Sequence, residues 1–112
     1  VAEVNGCDYC LAAHTSLGRN LAKLDDAEIA ANRAGGSRDA MAAAAVGFAV
    51  RVARARGHVD AGALQAVRGA GWTDAQIVEI VQHVALNTWT NYLNEVAGTE
   101  IDFPAVARLE AA

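Results

Sequence analysis

Two cysteines and a histidine lie close together near the start of the chain. Cys7 and Cys10 are three residues apart, and His14 follows four residues later; there are no other cysteines. If residues 6–22 form a helix, the three residues occupy positions i, i+3 and i+7, which lie within about 60° of one another around the helix axis. We therefore expect two thiols and an imidazole to share one helix face.

Such a group of residues is suited to thiol chemistry. A cysteine is nucleophilic as its thiolate, and a helix N-terminus, a nearby base or a Cys-x-x-Cys partner lowers the thiol pKa from about 8.5. A thiolate that attacks a hydroperoxide becomes a sulfenic acid, which a second thiol converts to a disulfide. A dithiol protein or a small thiol must then reduce that disulfide by exchange.

Other uses of the cysteine pair compete with this interpretation. Haem attachment requires a histidine directly after the second cysteine, where this chain has Leu11, and is excluded. A structural zinc site could use both cysteines and His14 but needs a fourth ligand, and the other histidines, His58 and His83, lie in no second motif. The cysteines could also be buried structural residues. We expect no bound metal and no cofactor.

The composition predicts a single all-α domain covering residues 1–112. Of these residues 27 are alanine and one is proline, a composition that favours helices. We see no strand-like alternation, which argues against a thioredoxin-like fold around the cysteines. The start of the chain, Val1 to Val4, resembles the end of a helix, so we expect natural residues to precede Val1.

Charge and hydropathy limit the classes of partner that the chain is expected to bind. The net charge of −4 does not fit a nucleic-acid-binding domain. The longest apolar run, residues 41–50, is too short for a membrane span, which needs about 20 residues. A lone Cys-x-x-Cys pair is more typical of a reducing cytoplasm than of a secreted disulfide framework. We therefore expect a cytoplasmic protein that binds neither nucleic acid nor membrane.

Capping residues and glycines divide the chain into helices. Asn5 is the predicted N-cap of the helix that carries the cysteines, and Ser37 is the predicted N-cap of the third helix. Thr73 and Gln76 form a predicted capping box at the start of the last helix. The predicted helices run to about Asn20 and then over 24–34, 38–56, 60–69 and 74–97.

The last of these helices is apolar around most of its circumference. We expect it to be buried on more than one side, with one side available as a subunit interface. We expect the larger aromatic side chains to belong to the core: Phe48, Trp72, Trp89 and Tyr92. A polar stripe follows helical spacing on the same helix: Glu79, His83, Asn87, Asn91 and Asn94.

The segment from Asn5 to His14, Asn-Gly-Cys-Asp-Tyr-Cys-Leu-Ala-Ala-His, closely resembles the signature of the AhpD-like alkylhydroperoxidases of the carboxymuconolactone decarboxylase superfamily. Later segments are similar to other parts of that family: 69–77, 84–94 and 99–104. The resemblance implies an all-helical AhpD-like bundle, an obligate homo-oligomer (trimer or hexamer) and thiol-dependent reduction of hydroperoxides in antioxidant defence. It also implies that Cys10 attacks, Cys7 resolves and His14 belongs to the proton relay.

Two positions depart from the family pattern. The relay glutamate of the family would lie upstream of Val1, and Glu3 is at the wrong spacing to replace it. Tyr9 stands where the best-known members have a histidine, and a neutral tyrosine is a poorer base. The alternatives are a carboxymuconolactone decarboxylase-like enzyme, which would not need two thiols, and a non-catalytic helical oligomer with structural or zinc-binding cysteines.

Overall fold

The computed structural model describes residues 1–110, and within that range it is all helical, as the composition predicts. The last two residues of the predicted domain, 111 and 112, lie outside the described residues. Residues 99–110 form a tail without regular secondary structure. The helices in the described range are α1 (Ala2–Asn5), α2 (Asp8–Asn20), α3 (Asp26–Arg33), α4 (Ala40–Ala55), α5 (Ala61–Gly69) and α6 (Asp74–Ala97).

The long helix α6 begins and ends where the sequence predicts. The Thr73 side chain accepts from the Gln76 N–H at 3.2 Å, and the Gln76 side chain accepts from the Thr73 N–H at 2.9 Å. Gly98 ends the helix in the left-handed conformation, with φ of 60°. Both signals are local, which is why the sequence locates them correctly.

The predicted N-caps of α2 and α4 are wrong. Asn5 is the last residue of α1, and Cys7 is the N-cap of α2. Gly6, with φ of 70°, turns the chain between the two helices. Asp39 caps α4 by accepting from the Ala42 N–H, whereas the Ser37 hydroxyl donates to Glu28 and accepts from the Asp39 N–H.

A hydrophobic core lies between α4, α5 and the first half of α6. The Trp72 ring packs against this core and donates its Nε1–H to the Met41 carbonyl at 2.8 Å. Phe48 is buried as predicted, whereas Trp89 and Tyr92 are 63% and 59% exposed, so their assignment to the core is wrong. The buried members of the core are Phe48, Val52, Ala63, Val67, Ile77 and Val84.

Helix α6 contacts α1, α2 and α4 and buries one side only within the single chain. Its buried residues recur every seven positions: Ile77, Val84 and Asn91. Part of the polar stripe therefore points inward, and much of the apolar surface points outward. The exposed apolar residues of α6 are Val78, Val81, Leu86, Trp89, Tyr92, Leu93 and Val96; we call them the α6 outer face. Among residues 1–110, no helix combines the length and the apolar character that a membrane crossing requires.

Candidate redox site

Cys7 and Cys10 form a disulfide at the N-terminus of α2. Their Cα atoms are 5.2 Å apart, and the residues are only 1% and 4% exposed. The spacing seen in the sequence therefore does bring the two sulfurs together. The bond closes because Cys7 is the N-cap and Cys10 lies in the first turn of the same helix.

The backbone of α2 supplies a hydrogen bond to the first sulfur. Cys7 has extended backbone angles (φ −89°, ψ 103°), and its Sγ accepts from the Cys10 N–H at 3.1 Å. The unpaired N–H groups of a helix N-terminus also favour negative charge. A thiolate at Cys7 in the reduced protein would therefore be stabilised by the start of the helix.

A side chain from α6 reaches the second sulfur. The Asn94 Nδ2 lies 3.5 Å from Cys10 Sγ and also donates to the Thr90 carbonyl at 2.9 Å. The sequence places Asn94 on a polar stripe but does not connect it with the cysteines. The available signal was the asparagine spacing on a helix that otherwise carries large apolar residues.

A second asparagine contact holds the turn before Cys7 against α6. Asn5 Nδ2 donates to Thr88 Oγ1 at 3.2 Å and to Asn91 Oδ1 at 3.0 Å. Asn5 is therefore committed to α6, which explains why it does not cap α2. The contact links the segment before the disulfide to the helix that carries Asn94.

His14 lies one helical turn after Cys10, on the same side of α2. Its side chain is exposed, and within residues 1–110 it makes no hydrogen bond to either sulfur. It lines a groove of about 330 Å³ together with Leu11 and Asn87. The structure thus joins the two cysteines directly and leaves His14 one turn away, open to solvent.

The C-terminal tail, residues 99–110, crosses the start of α2. The Phe103 ring meets the Tyr9 ring edge-on, with centroids 5.9 Å apart. Arg108 Nε donates to Asp8 Oδ1 at 2.5 Å, and this hydrogen bond holds the pKa of the Asp8 carboxyl below its usual value. The tail therefore lies next to the two residues between Cys7 and Cys10 and offsets the negative charge of Asp8.

Glu3 is engaged elsewhere. Its carboxylate pairs with Arg33 at 3.0 Å and accepts from the Leu109 N–H, while Arg33 also donates to the Ala107 carbonyl. These contacts fasten the tail to α1 and α3. They give Glu3 a structural role, in keeping with its spacing, which does not match that of the relay glutamate.

The remaining histidines are separate from the disulfide in the described structure. His58 follows the end of α4, and His83 is exposed on α6. Within residues 1–110 no three side chains of the His, Cys, Asp or Glu types gather in a way that could hold a metal ion. A zinc site at Cys7 and Cys10 would require the disulfide to be reduced first, because zinc binds thiolates.

No protein-family model matches the chain, and no curated protein is significantly similar to it. A functional proposal therefore rests on three features: the disulfide, the hydrogen-bond donors around it and the resemblance of the segment 5–14 to the AhpD-like signature.

Proposed function

We propose that this protein is an AhpD-like thiol peroxidase that reduces hydroperoxides through a Cys7–Cys10 dithiol–disulfide cycle. One observation carries the proposal: the only two cysteines of the chain are bonded to each other at a helix N-terminus, and each sulfur accepts an N–H hydrogen bond. A helix N-terminus and hydrogen-bond donors favour the thiolate, which is the reactive form. The resemblance of the segment 5–14 to the AhpD-like signature supports the same chemistry.

The cycle needs two thiols and two external reactants. The Cys10 thiolate attacks one oxygen of the hydroperoxide, the O–O bond breaks, and the protonated leaving oxygen departs as an alcohol or water. Cys10 is then a sulfenic acid, which the Cys7 thiol attacks, releasing water and closing the disulfide. A dithiol protein or a small thiol supplies two electrons and two protons by thiol–disulfide exchange.

His14 is the proposed proton acceptor of this cycle. Its position one turn after Cys10 and its exposed imidazole suit exchange of a proton with solvent. Tyr9 is half-buried against Phe103 and is proposed to line the site rather than to act as a base.

The outer surface supports a homo-oligomer. The chain exposes 7099 Å², whereas a monomer of 11.6 kDa is expected to expose about 5,800 Å². The excess of about 1,300 Å² is larger than the surface of about 800 Å² that each partner loses in a standard interface. We propose that the α6 outer face packs against other copies of the chain, as a trimer or hexamer with the AhpD-like arrangement.

The proposed compartment is the cytoplasm. A disulfide that must return to the dithiol in every turnover needs a reducing pool, which the cytoplasm supplies. The proposed partners are accordingly a hydroperoxide, a thiol reductant and further copies of the same chain.

A free-thiol count tests the peroxidase. We expect the reduced protein to lose both of its thiols on addition of one equivalent of hydroperoxide and to regain them with a dithiol. The Cys10→Ser variant should show no dithiol-dependent consumption of peroxide. Two thiols that persist with peroxide, or turnover that persists without Cys10, would contradict the proposal; the first result would favour structural or zinc-binding cysteines.

A further inference from the structure

We propose that Asn94 stabilises Cys10 as a thiolate through its side-chain amide. The inference rests on the proposed peroxidase function and deepens it, because it assigns a side-chain donor to the sulfur that is proposed to attack. Asn94 lies on α6, 84 residues after Cys10 in the chain, and its Nδ2 is 3.5 Å from Cys10 Sγ.

The orientation of the Asn94 amide is fixed by a second hydrogen bond. Nδ2 donates to the Thr90 carbonyl at 2.9 Å, one turn earlier on α6. A backbone carbonyl can only accept, so the atom that faces it must be the nitrogen and not the oxygen. One amide hydrogen is used by Thr90, and the other is directed to the sulfur. The group facing Cys10 is therefore a donor.

The two sulfurs depend on different donors. Cys7 Sγ accepts from the backbone N–H of Cys10, which no side-chain substitution at residue 94 removes. Cys10 Sγ accepts from Asn94. A hydrogen bond to a charged acceptor is stronger than one to a neutral acceptor, so the Asn94 contact strengthens when Cys10 ionises. Its loss should thus affect Cys10 and leave Cys7 unchanged.

A purely structural asparagine offers the comparison. Asn87, two helical turns earlier on α6, also donates its Nδ2 to the carbonyl four residues before it, that of His83, at 2.7 Å. Within residues 1–110 Asn87 makes no hydrogen bond to a sulfur. Asn87 therefore has the same residue type, helix and backbone bond as Asn94 without the contact to Cys10, which makes it the matched control.

The test measures the pKa of each thiol separately. Cys7→Ser leaves Cys10 as the only thiol, and serine remains a good N-cap for α2. The ultraviolet absorbance of the thiolate, followed against pH, then gives the Cys10 pKa without requiring a reagent to reach the buried sulfur. We expect Asn94→Leu to raise that pKa by about one unit, a tenfold change in the ratio of thiolate to thiol. Asn94→Asp keeps the shape and should raise it further, because a carboxylate repels the thiolate.

Two controls separate this role from a change in folding. Asn87→Leu in the Cys7→Ser background should leave the Cys10 pKa unchanged, and Asn94→Leu in a Cys10→Ser background should leave the Cys7 pKa unchanged. A Cys10 pKa that does not move in either Asn94 variant would overturn the inference. Equal shifts at Cys7 and Cys10 would also overturn it, since they would indicate a general disturbance of α2.

Peroxide consumption by the unmodified protein is measured alongside. Turnover in that protein with no effect of Asn94 on the Cys10 pKa would leave the peroxidase proposal intact and overturn the role of Asn94. The opposite result is a raised Cys10 pKa in the Asn94 variants and no turnover in the unmodified protein. It would support the role of Asn94 as a donor and contradict the proposed peroxidase function.

Discussion

Asn5, at the end of α1, donates its side-chain amide to Asn91 on α6 at 3.0 Å, across 86 positions of sequence. Asn91 is wholly buried, and within residues 1–110 its own Nδ2 has no hydrogen-bond partner. An unpaired buried donor costs about 1–3 kcal/mol. The protein thus holds a polar side chain at a position that stability alone would give to an apolar one, one turn before Asn94.

Substitution of Asn91 should show whether its side-chain amide contributes to the stability of the fold. Leucine has the same branched shape and lacks the unpaired donor, but its side chain is larger, so overpacking of the buried site offsets the gain. We expect Asn91→Leu to lower the free energy of unfolding by about 1 kcal/mol, less than a buried charge costs. Asn91→Asp buries an uncompensated charge and should cost about 3 kcal/mol at pH 7. Urea denaturation at pH 7 measures both. A Leu variant as unstable as the Asp variant would show that the Asn5–Asn91 bond supports the fold.

The ends of the helices show which features of the fold can be predicted from the sequence. Thr73, Gln76 and Gly98 are local signals, and the bounds of α6 follow from them. The N-cap of α2 does not follow, because the Asn5 amide is drawn to α6 by a contact between distant parts of the chain. A capping preference read from neighbouring residues cannot include such a contact.

The site was predictable to a similar extent. The spacing of Cys7 and Cys10 predicts that their sulfurs meet, and they do. The donor from Asn94 could not be predicted, since it depends on how α6 is rotated against α2. The rotation also explains Trp89: its size predicts burial, but the side of α6 that carries it faces away from the single chain.

The pH dependence of stability should include a contribution from Glu28. Hydrogen bonds from the Ser37 hydroxyl, the Arg38 backbone N–H and the Asn32 amide lower the pKa of Glu28 from 4.5 to about 2. Because the pKa is lower in the folded state than in the unfolded state, the stabilisation is present above pH 4.5 and is lost as the pH falls toward 2.

The Glu28→Gln variant should reveal the contribution of the ionised Glu28 carboxylate to stability. We expect the variant to melt at a lower temperature than the unmodified protein at pH 7, and the difference should shrink between pH 4.5 and pH 2. Thermal denaturation followed by circular dichroism at pH 7, 4 and 2.5 gives the comparison. A difference of constant size across that range would mean that the ionised carboxylate is not the source of the stabilisation.

The tail should control access to the cysteines. Arg108 pairs with Asp8 beside Cys7, and both side chains are half exposed, so Arg108→Ala should cost less than about 1 kcal/mol of global stability. We expect the same variant to raise the alkylation rate of the reduced cysteines several-fold, because local opening of a surface segment needs far less free energy than unfolding.

A second ion pair provides the control for the tail. Arg68 pairs with Asp74 through the same atoms, Nε and Oδ1, at 2.6 Å, and lies at the end of α5, away from the disulfide. Arg68→Ala should leave the alkylation rate unchanged. Equal rates in the Arg108 and Arg68 variants would show that the tail does not limit access to the sulfurs.

The α6 outer face should hold the oligomer together. Trp89 lies between Leu86 and Tyr92 on this face, and Trp89→Glu would place a charge within the proposed contact. Charges are depleted in the centres of protein interfaces because their desolvation is costly. We therefore expect the unmodified protein to sediment at a multiple of 11.6 kDa and the Trp89→Glu variant to sediment at 11.6 kDa with its helical circular dichroism retained.

The matched substitution for Trp89 is Leu21→Glu. Leu21 is also apolar and is 75% exposed, but it lies at the end of α2 and outside the α6 outer face. The Leu21→Glu substitution should leave the oligomer intact. If the unmodified protein sediments at 11.6 kDa at micromolar concentration, the outer face is solvent-exposed in solution and the homo-oligomer is excluded under those conditions. If Leu21→Glu dissociates the oligomer and Trp89→Glu does not, the subunits meet through another surface, because a charge acts only where it is desolvated.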